Sequence, residues 1–304
     1  MSTVAEAVAS TRPDVGGAGR RRAQAQTRRS VKSVIFHLAA VAASIVVLYP
    51  AAWMVMSSLK PSNDIVGNTS LLPETWTLEN YVKAFGGIGG VEFSTFFGNS
   101  VLLAVLSVVG TVVSTTVVSY AFARIPFPGR NAMFAIMIGT LLLPFHVVII
   151  PQYILFNQLG MVNTYLPLLV GKFLATEAFF IFLMVQFIRG IPRELDEAAR
   201  IDGCGHGRTF VSIMLPLMRP AIITTSIFTF IGSWNDFMGP LLYLKRPDLY
   251  PLPIALRQYV DQTTTSDYGA QMAMAVLSLL PVLIFFVIFQ RYIIAGVATQ
   301  GLKG

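Results

Sequence analysis

Glu177 is a carboxylate in the middle of an apolar run. Charge inside a lipid-embedded segment is costly and marks function by default. Counted from Tyr165 at 1.5 Å per residue, Glu177 lies roughly 18 Å along its helix. That is close to the midplane of a hydrocarbon core about 30 Å thick. A carboxylate there can hydrogen-bond a solute hydroxyl, pair with a polar group on a neighbouring helix, or relay a proton. Lys172 is five positions away, roughly 140° round a regular helix, which disfavours a direct pair. Trp234, Asn235 and Asp236 make a second group: a flat ring beside two hydrogen-bonding side chains, a combination suited to a polyhydroxylated molecule. Asp236 lies roughly 24 Å along from Pro220, nearer the outer face. The plainer reading of this group is an interfacial aromatic with snorkelled polar neighbours.

Nothing else offers covalent chemistry. His37, His146 and His206 fall on different segments, and Cys204 is the single cysteine, so neither a metal-ligand spacing nor an intrachain disulfide emerges. His146, between Pro144 and Pro151, reads as a satisfied polar residue. There is no Gly-x-x-x-x-Gly-Lys-Ser/Thr phosphate loop and no nucleophile elbow. The run Gly86-Gly87-Ile88-Gly89-Gly90 reads as a flexible turn. No catalytic residue, bound metal or bound cofactor is expected.

The elements that must position these groups are membrane spans. The 304 residues are 54% hydrophobic and 12% charged, with mean hydropathy +0.66, against roughly 25% charged in a soluble domain. Several apolar runs exceed the roughly 20 residues needed to cross the hydrocarbon core. An all-α polytopic membrane protein with six transmembrane helices follows, at 34–56, 96–123, 132–151, 165–188, 216–234 and 271–292. Residues 1–32 read as a disordered basic tail rich in Ala, Arg, Gly and Gln. The first apolar run, at 23 residues, exceeds the about 7–15 of a signal-peptide h-region, so it reads as an uncleaved span. It is grouped with an outer loop in 33–95, ahead of a core at 96–292 and a C-terminal tail at 293–304. Six spans put both termini on one side. Sixteen of the 22 Lys and Arg then fall on that side, together with the loop 189–219. By the positive-inside rule that side is the cytoplasm. The net charge of +7 is thus a topology signal, and no nucleic-acid partner is expected.

Loop 189–219 carries the most specific pattern. After Pro192, suited to a helix's first turn, come Leu195, Ala198, Ala199 and Asp202 at spacings of three and four. The alanines leave room for close approach to another surface. Asp196 and Arg200 can pair at i,i+4, and Gly203 can take the left-handed conformation that ends the helix. Glu197-Ala198-Ala199, three residues, Gly203, nine residues and Ile213-Met214-Leu215-Pro216 complete the run.

This stretch resembles the cytoplasmic signature of ATP-binding-cassette (ABC) importer permeases, and every anchor of that signature is present. The wider run from Phe187 to Gly203 is similar to the carbohydrate-uptake branch, which includes the second permease of maltose-type transporters. Three further segments agree: Pro73 to Tyr81 with Thr77, Asn80 and Tyr81 in place; Trp234-Asn235-Asp236-Phe237; and Phe289-Gln290-Arg291-Tyr292 through Gly301-Leu302-Lys303-Gly304. The resemblance runs from about residue 34 to the end. Two departures stand out: Cys204 and His206 replace small or plain polar residues, and Gln300-Gly301-Leu302 replaces Gly-Ala-Val.

The resemblance implies a type I importer permease fold in a bacterial cytoplasmic membrane. Glu197, Ala198, Ala199, Arg200, Asp202, Gly203, Leu215 and Pro216 would couple to a cytoplasmic ATPase dimer that uses ATP and Mg, and Gly301, Leu302, Lys303 and Gly304 would reach the same partner. A homologous second permease and an extracytoplasmic solute-binding protein would complete the complex, with a sugar as cargo. Glu177, Trp234, Asn235 and Asp236 are the candidates on its path. A polyamine or another small polar solute is the alternative cargo. A proton-coupled carrier with Glu177 as relay is the alternative class, although it would have no use for the Glu-Ala-Ala loop.

Overall fold

The computed structural model describes residues 15–67, 70–260 and 267–301, with side chains over 32–67, 70–260 and 267–290. Among these residues there is no β-strand, only an isolated bridge between Ile88 and Val91. Helix α1 (Val15–Ser57) is followed by α2 (Glu79–Gly86), α3 (Phe93–Arg124), α4 (Arg130–Thr140), α5 (Phe145–Gln158), α6 (Leu166–Phe173), α7 (Ala178–Arg189) and α8 (Glu194–Ile201). Then come α9 (His206–Thr209), a π-helical turn (Phe210–Met214), α10 (Leu215–Leu217), α11 (Arg219–Trp234), α12 (Met238–Tyr243), α13 (Leu252–Gln258) and α14 (Tyr268–Gly301).

Four stretches are long and apolar enough to cross a membrane: 32–57, 93–124, 166–189 and 268–290. Two bent pairs, α4 with α5 and the 206–217 segment with α11, bring the total to six if each counts as one span. The expected third span, 132–151, is therefore not straight. It breaks by 102° ahead of α5, because Pro144 has no N–H to continue α4 and biases its predecessor away from helix. Pro144 instead takes extended angles and opens α5. The fifth expected span, 216–234, starts at Arg219; the chain bends by 72° just before Pro220, leaving Leu215 and Pro216 on the preceding segment.

The chain divides into two compact units, 1–54 and 55–304. In the first, α1 begins at Val15, so part of the segment expected to be a disordered tail is helical. Ala, Arg and Gln are good helix formers, and composition alone had concealed this. Its side chains from residue 32 through Tyr49 are exposed, including Val34, Phe36, Ile45 and Val47, as expected of a helix whose solvent is lipid. Residues 1–14 lie outside the described part.

In the second unit α3 is the hub, packing on α6, α7 and α11. Between aromatic residues buried at its two ends, its buried side is mostly small or hydroxylated: Ser100, Ser107, Thr111, Thr115, Thr116 and Ser119 among them. Such residues let helix backbones approach closely in a membrane. At Gly110 the Phe173 ring takes the place of a side chain, and an added Cβ would stand 2.7 Å from it. The hydroxyls of Thr115, Thr116 and Ser119 donate to carbonyls of α3 itself, at Thr111, Val112 and Thr116. One apolar cluster gathers Phe93, Phe96, Trp234, Leu252 and Met274; another, at the other end of α3, gathers Tyr120, Phe122, Met184, Ile188, Met214 and Met218.

The loop between α1 and α3 belongs to this second unit and not with the first helix. Asn80 is 2% exposed; its Nδ2 donates to the carbonyls of Ser58 at 2.9 Å and Lys60 at 2.6 Å. Tyr81 and Ser58 hydroxyls lie 2.8 Å apart, and Ser62 donates to Asp267 at 2.6 Å, at the foot of α14. The Pro73–Tyr81 motif is thus an internal clamp that satisfies backbone carbonyls which would otherwise be buried without partners.

Candidate functional site

Helix α8 is short, amphipathic and largely unburied. Pro192 sits two residues ahead of it, outside the first turn where it is expected, and Arg193 is its N-cap. Its end follows the prediction: Gly203 has φ +77°, the Cys204 N–H donates to the Ala199 carbonyl at 2.8 Å, and the Gly203 N–H donates to Arg200 at 3.0 Å. These two bonds form a Schellman cap. Ala199 is buried against the bundle, whereas Glu194, Glu197, Ala198 and Arg200 are exposed. Ile201, not singled out by the sequence, projects with 87% of its surface free, beside Leu195 at 40%. Ala198 shares this apolar, outward stripe with them, with Glu197 at its edge.

Asp196 does not pair with Arg200. Its carboxylate lies 3.1 Å from Nε of Arg124, the last residue of α3. The same guanidinium donates through Nη2 to the carbonyls of Ile188 at 3.0 Å and Ile191 at 2.7 Å. The Arg124 side chain is only 5% exposed. A spacing rule that looks four residues along one helix cannot find a partner on another. Beside this junction is a hollow of about 160 Å³ lined by Tyr120, Arg193, Glu197, Arg200, Cys204 and His206. Tyr120 also meets Phe210 with ring centroids 5.1 Å apart, so the chain leaving the hollow is anchored on α3 as well. Leu215 and Pro216 follow the π-helical turn, at the start of α10.

The second candidate group lies where the fourth span breaks. The span 166–189 is two helices, with Ala175 between them at φ +55°, a left-handed conformation that an alanine rarely takes. The N–H of Thr176 reaches back to the carbonyl of Gly171, and Ser114 on α3 donates to the carbonyl of Lys172 at 2.7 Å. The break turns Glu177 back over Lys172, and the two form an ion pair. The expectation that they stand too far apart round the helix therefore fails, because there is no regular helix between them. Lys172 also attracts Asp236 electrostatically, and Asp236 Oδ1 accepts the Gly239 N–H at 3.1 Å, capping the approach to α12.

Trp234 stands apart from this group. It is 3% exposed, stacks with Phe230, meets Phe97 edge-on, and donates Nε1–H to the Ser278 carbonyl at 3.2 Å. The indole ties α11 to α14 inside the core and is not on an open surface. Asn235 is exposed and donates to the Ile231 carbonyl of its own helix. At the C-terminus α14 runs through Gly301, and Leu302, Lys303 and Gly304 lie outside the described residues. Among the described residues no cluster of His, Cys, Asp and Glu could hold a metal.

Residues 115–299 match the family of binding-protein-dependent transport system inner membrane components. The chain is similar to the arabinooligosaccharides transport system permease protein AraQ of Halalkalibacterium halodurans. The two are 36% identical over 262 residues, which covers 85% of this chain and 92% of that one. It is 32% identical over 270 residues to the diacetylchitobiose uptake system permease protein NgcG of Streptomyces coelicolor, covering 88% of each. Among solved structures, a bacterial ABC transporter involved in importing the acidic polysaccharide alginate matches with a TM-score of 0.77. The identity there is 21%, and the match covers 86% of this chain and 96% of the other, a likeness of fold.

Proposed function

The chain belongs to the family of binding-protein-dependent transport inner membrane components, and from that membership we propose that it is the permease subunit of an ATP-driven sugar importer. The observation that carries the reading is the exposed helix α8, with Glu197, Ala198 and Ala199 in the spacing of the importer signature and its cap at Gly203. The chain has the fold of type I importer permeases. In this reading the α8 end faces the cytoplasm, in agreement with the bias of basic residues, and α8 seats in a cleft of an ATPase dimer. ATP and Mg belong to that partner, and this chain performs no covalent step. A homologous permease supplies the other half of the pathway, and a solute-binding protein delivers cargo at the opposite face. Closure of the ATPase dimer on ATP moves α8 and turns the cavity outward; hydrolysis resets it, a rigid-body switch between two states.

Sugar is the cargo class because the relatives at about one-third identity are named for oligosaccharide uptake. The half-buried groups Lys172, Glu177 and Asp236 offer donors and acceptors for hydroxyls within the spans.

Gentle extraction of the complex from its native membrane tests the assembly: an ABC ATPase and a second permease should co-purify. A thermal-shift screen of the cognate binding protein against a sugar panel should give a hit. Uptake that collapses with an uncoupler while ATP is held constant would instead mark a proton-coupled carrier.

A further inference from the structure

We propose that Arg124 is the positioning residue through which displacement of α8 is handed to α3, and with it to the spans packed around α3. The proposal rests on the reading of α8 as the ATPase-engaging helix. It goes further by assigning the route that force takes from that helix into the membrane.

Helix α8 packs sparsely on every neighbouring helix. Its hold on the bundle is the buried methyl of Ala199 and the carboxylate of Asp196. A helix held so lightly can drive the spans only through the few contacts it has. Asp196 meets Arg124 at 3.1 Å, and Arg124 closes α3, the hub on which α6, α7 and α11 pack.

Arg124 also bridges the turn that α8 would otherwise swing on. Residues 190–193 join α7 to α8 without being helical. The guanidinium donates through Nη2 to the carbonyls of Ile188 and Ile191 on the α7 side of that turn, and stands 3.1 Å from the Asp196 carboxylate beyond it as its ion partner. The flat, forked group is oriented by its two Nη2 bonds, and its charge then holds the Asp196 carboxylate, so one residue links three elements. Its burial matters too. An exposed ion pair yields readily, whereas a buried one resists separation because an uncompensated charge would be left behind. The bulk of α8 remains exposed and free for a partner, so docking and force transfer use different faces of the same helix.

The test uses the complete complex in proteoliposomes, with cargo moved per ATP hydrolysed as the readout, a ratio that a merely structural contact would not change. Asp196→Asn and Arg124→Gln should assemble with all subunits and hydrolyse ATP while that ratio falls on the order of tenfold. Arg124→Lys should recover part of it, since an ammonium can meet Asp196 but cannot reproduce the fork. Should Arg124→Gln fail to fold, Asp196→Asn decides alone, because it probes the same link from the surface helix. An unchanged ratio in assembled Asp196→Asn overturns the proposal. So does loss of the ATPase from Asp196→Asn, which would make Asp196 a docking residue. Failure of the underlying reading is distinguishable: Glu197→Lys would then leave assembly and uptake intact, whatever Asp196→Asn does.

Discussion

Lys172 and Glu177 are ion-paired across the break in the fourth span, although they are five residues apart in one apolar run. The pairing exists because Ala175 adopts φ +55° and ends the helical register between them. Burying the two charges together avoids the larger cost of leaving either alone, and it places a dipolar group where the span's backbone is already open.

Removing one member should expose that cost. Each side chain keeps 29% of its surface, between the limits for exposed and buried pairs, so Glu177→Gln should destabilise the purified assembly by about 1–3 kcal/mol. Lys172→Met combined with Glu177→Gln should regain most of the loss in thermal unfolding. If the pair touches cargo, Glu177→Gln will also change sugar preference in competition uptake while the complex stays assembled. Unchanged uptake would leave the pair a purely structural role.

Charge reversal at Glu197 tests docking. Because this side chain is exposed, Glu197→Lys should leave membrane insertion and folding intact. ATPase association, measured by co-purification and binding, should weaken by about 2 kcal/mol or more, and uptake should be abolished.

Ile201 supplies the apolar counterpart. At 87% exposure it contributes little to the isolated chain, so Ile201→Ala should leave thermal stability unchanged. Burial in a partner's cleft would make the same substitution cost about 1–2 kcal/mol, or roughly 5- to 30-fold in Kd for the ATPase. An unaltered Kd would place Ile201 outside the interface.

The clamp that joins Ser62 to Asp267 should respond to acid. Burial by itself pushes the Asp267 carboxyl up, but the Ala270 N–H, the Ser62 hydroxyl and the Lys83 ammonium outweigh it and hold the group below its ordinary 3.8. Its stabilising contribution is therefore complete above pH 3.8 and is lost as pH falls through the lower folded-state value. Asp267→Asn should lower Tm at neutral pH, and the gap to the unsubstituted protein should close on acidification. A gap independent of pH would show that the carboxylate's charge is not what holds the clamp.

The membrane class and the shape of α8 were legible because each has a local cause. Apolar runs of span length need no tertiary information, and Gly203 stands where a left-handed residue must end a helix. Pro144 and Pro220 did carry the signal for the bends in the third and fifth spans, but long apolar runs around them read as continuous. Ala175 carried no signal at all, since alanine is the residue least expected to break a helix, and the Lys172–Glu177 pair was hidden with it. Spacing allows Asp196 to pair with Arg200, but its partner, Arg124, comes from another helix, which no local pattern reveals. Trp234 looked available on paper; only packing shows Phe97 and Phe230 closing over it.

The hydroxyls along α3 have one last consequence. Thr115, Thr116 and Ser119 satisfy themselves on their own helix, and the one bond they also make to α7, from Thr115 to the Met184 sulfur at 3.5 Å, is a weak one. The remaining contacts of this stretch with α7 are dispersion, each individually shallow. Along that stretch α7 would meet little friction, while the latches on the hub sit elsewhere: Ser114 on the Lys172 carbonyl, Ser107 with Ser233, and Arg124 at its end.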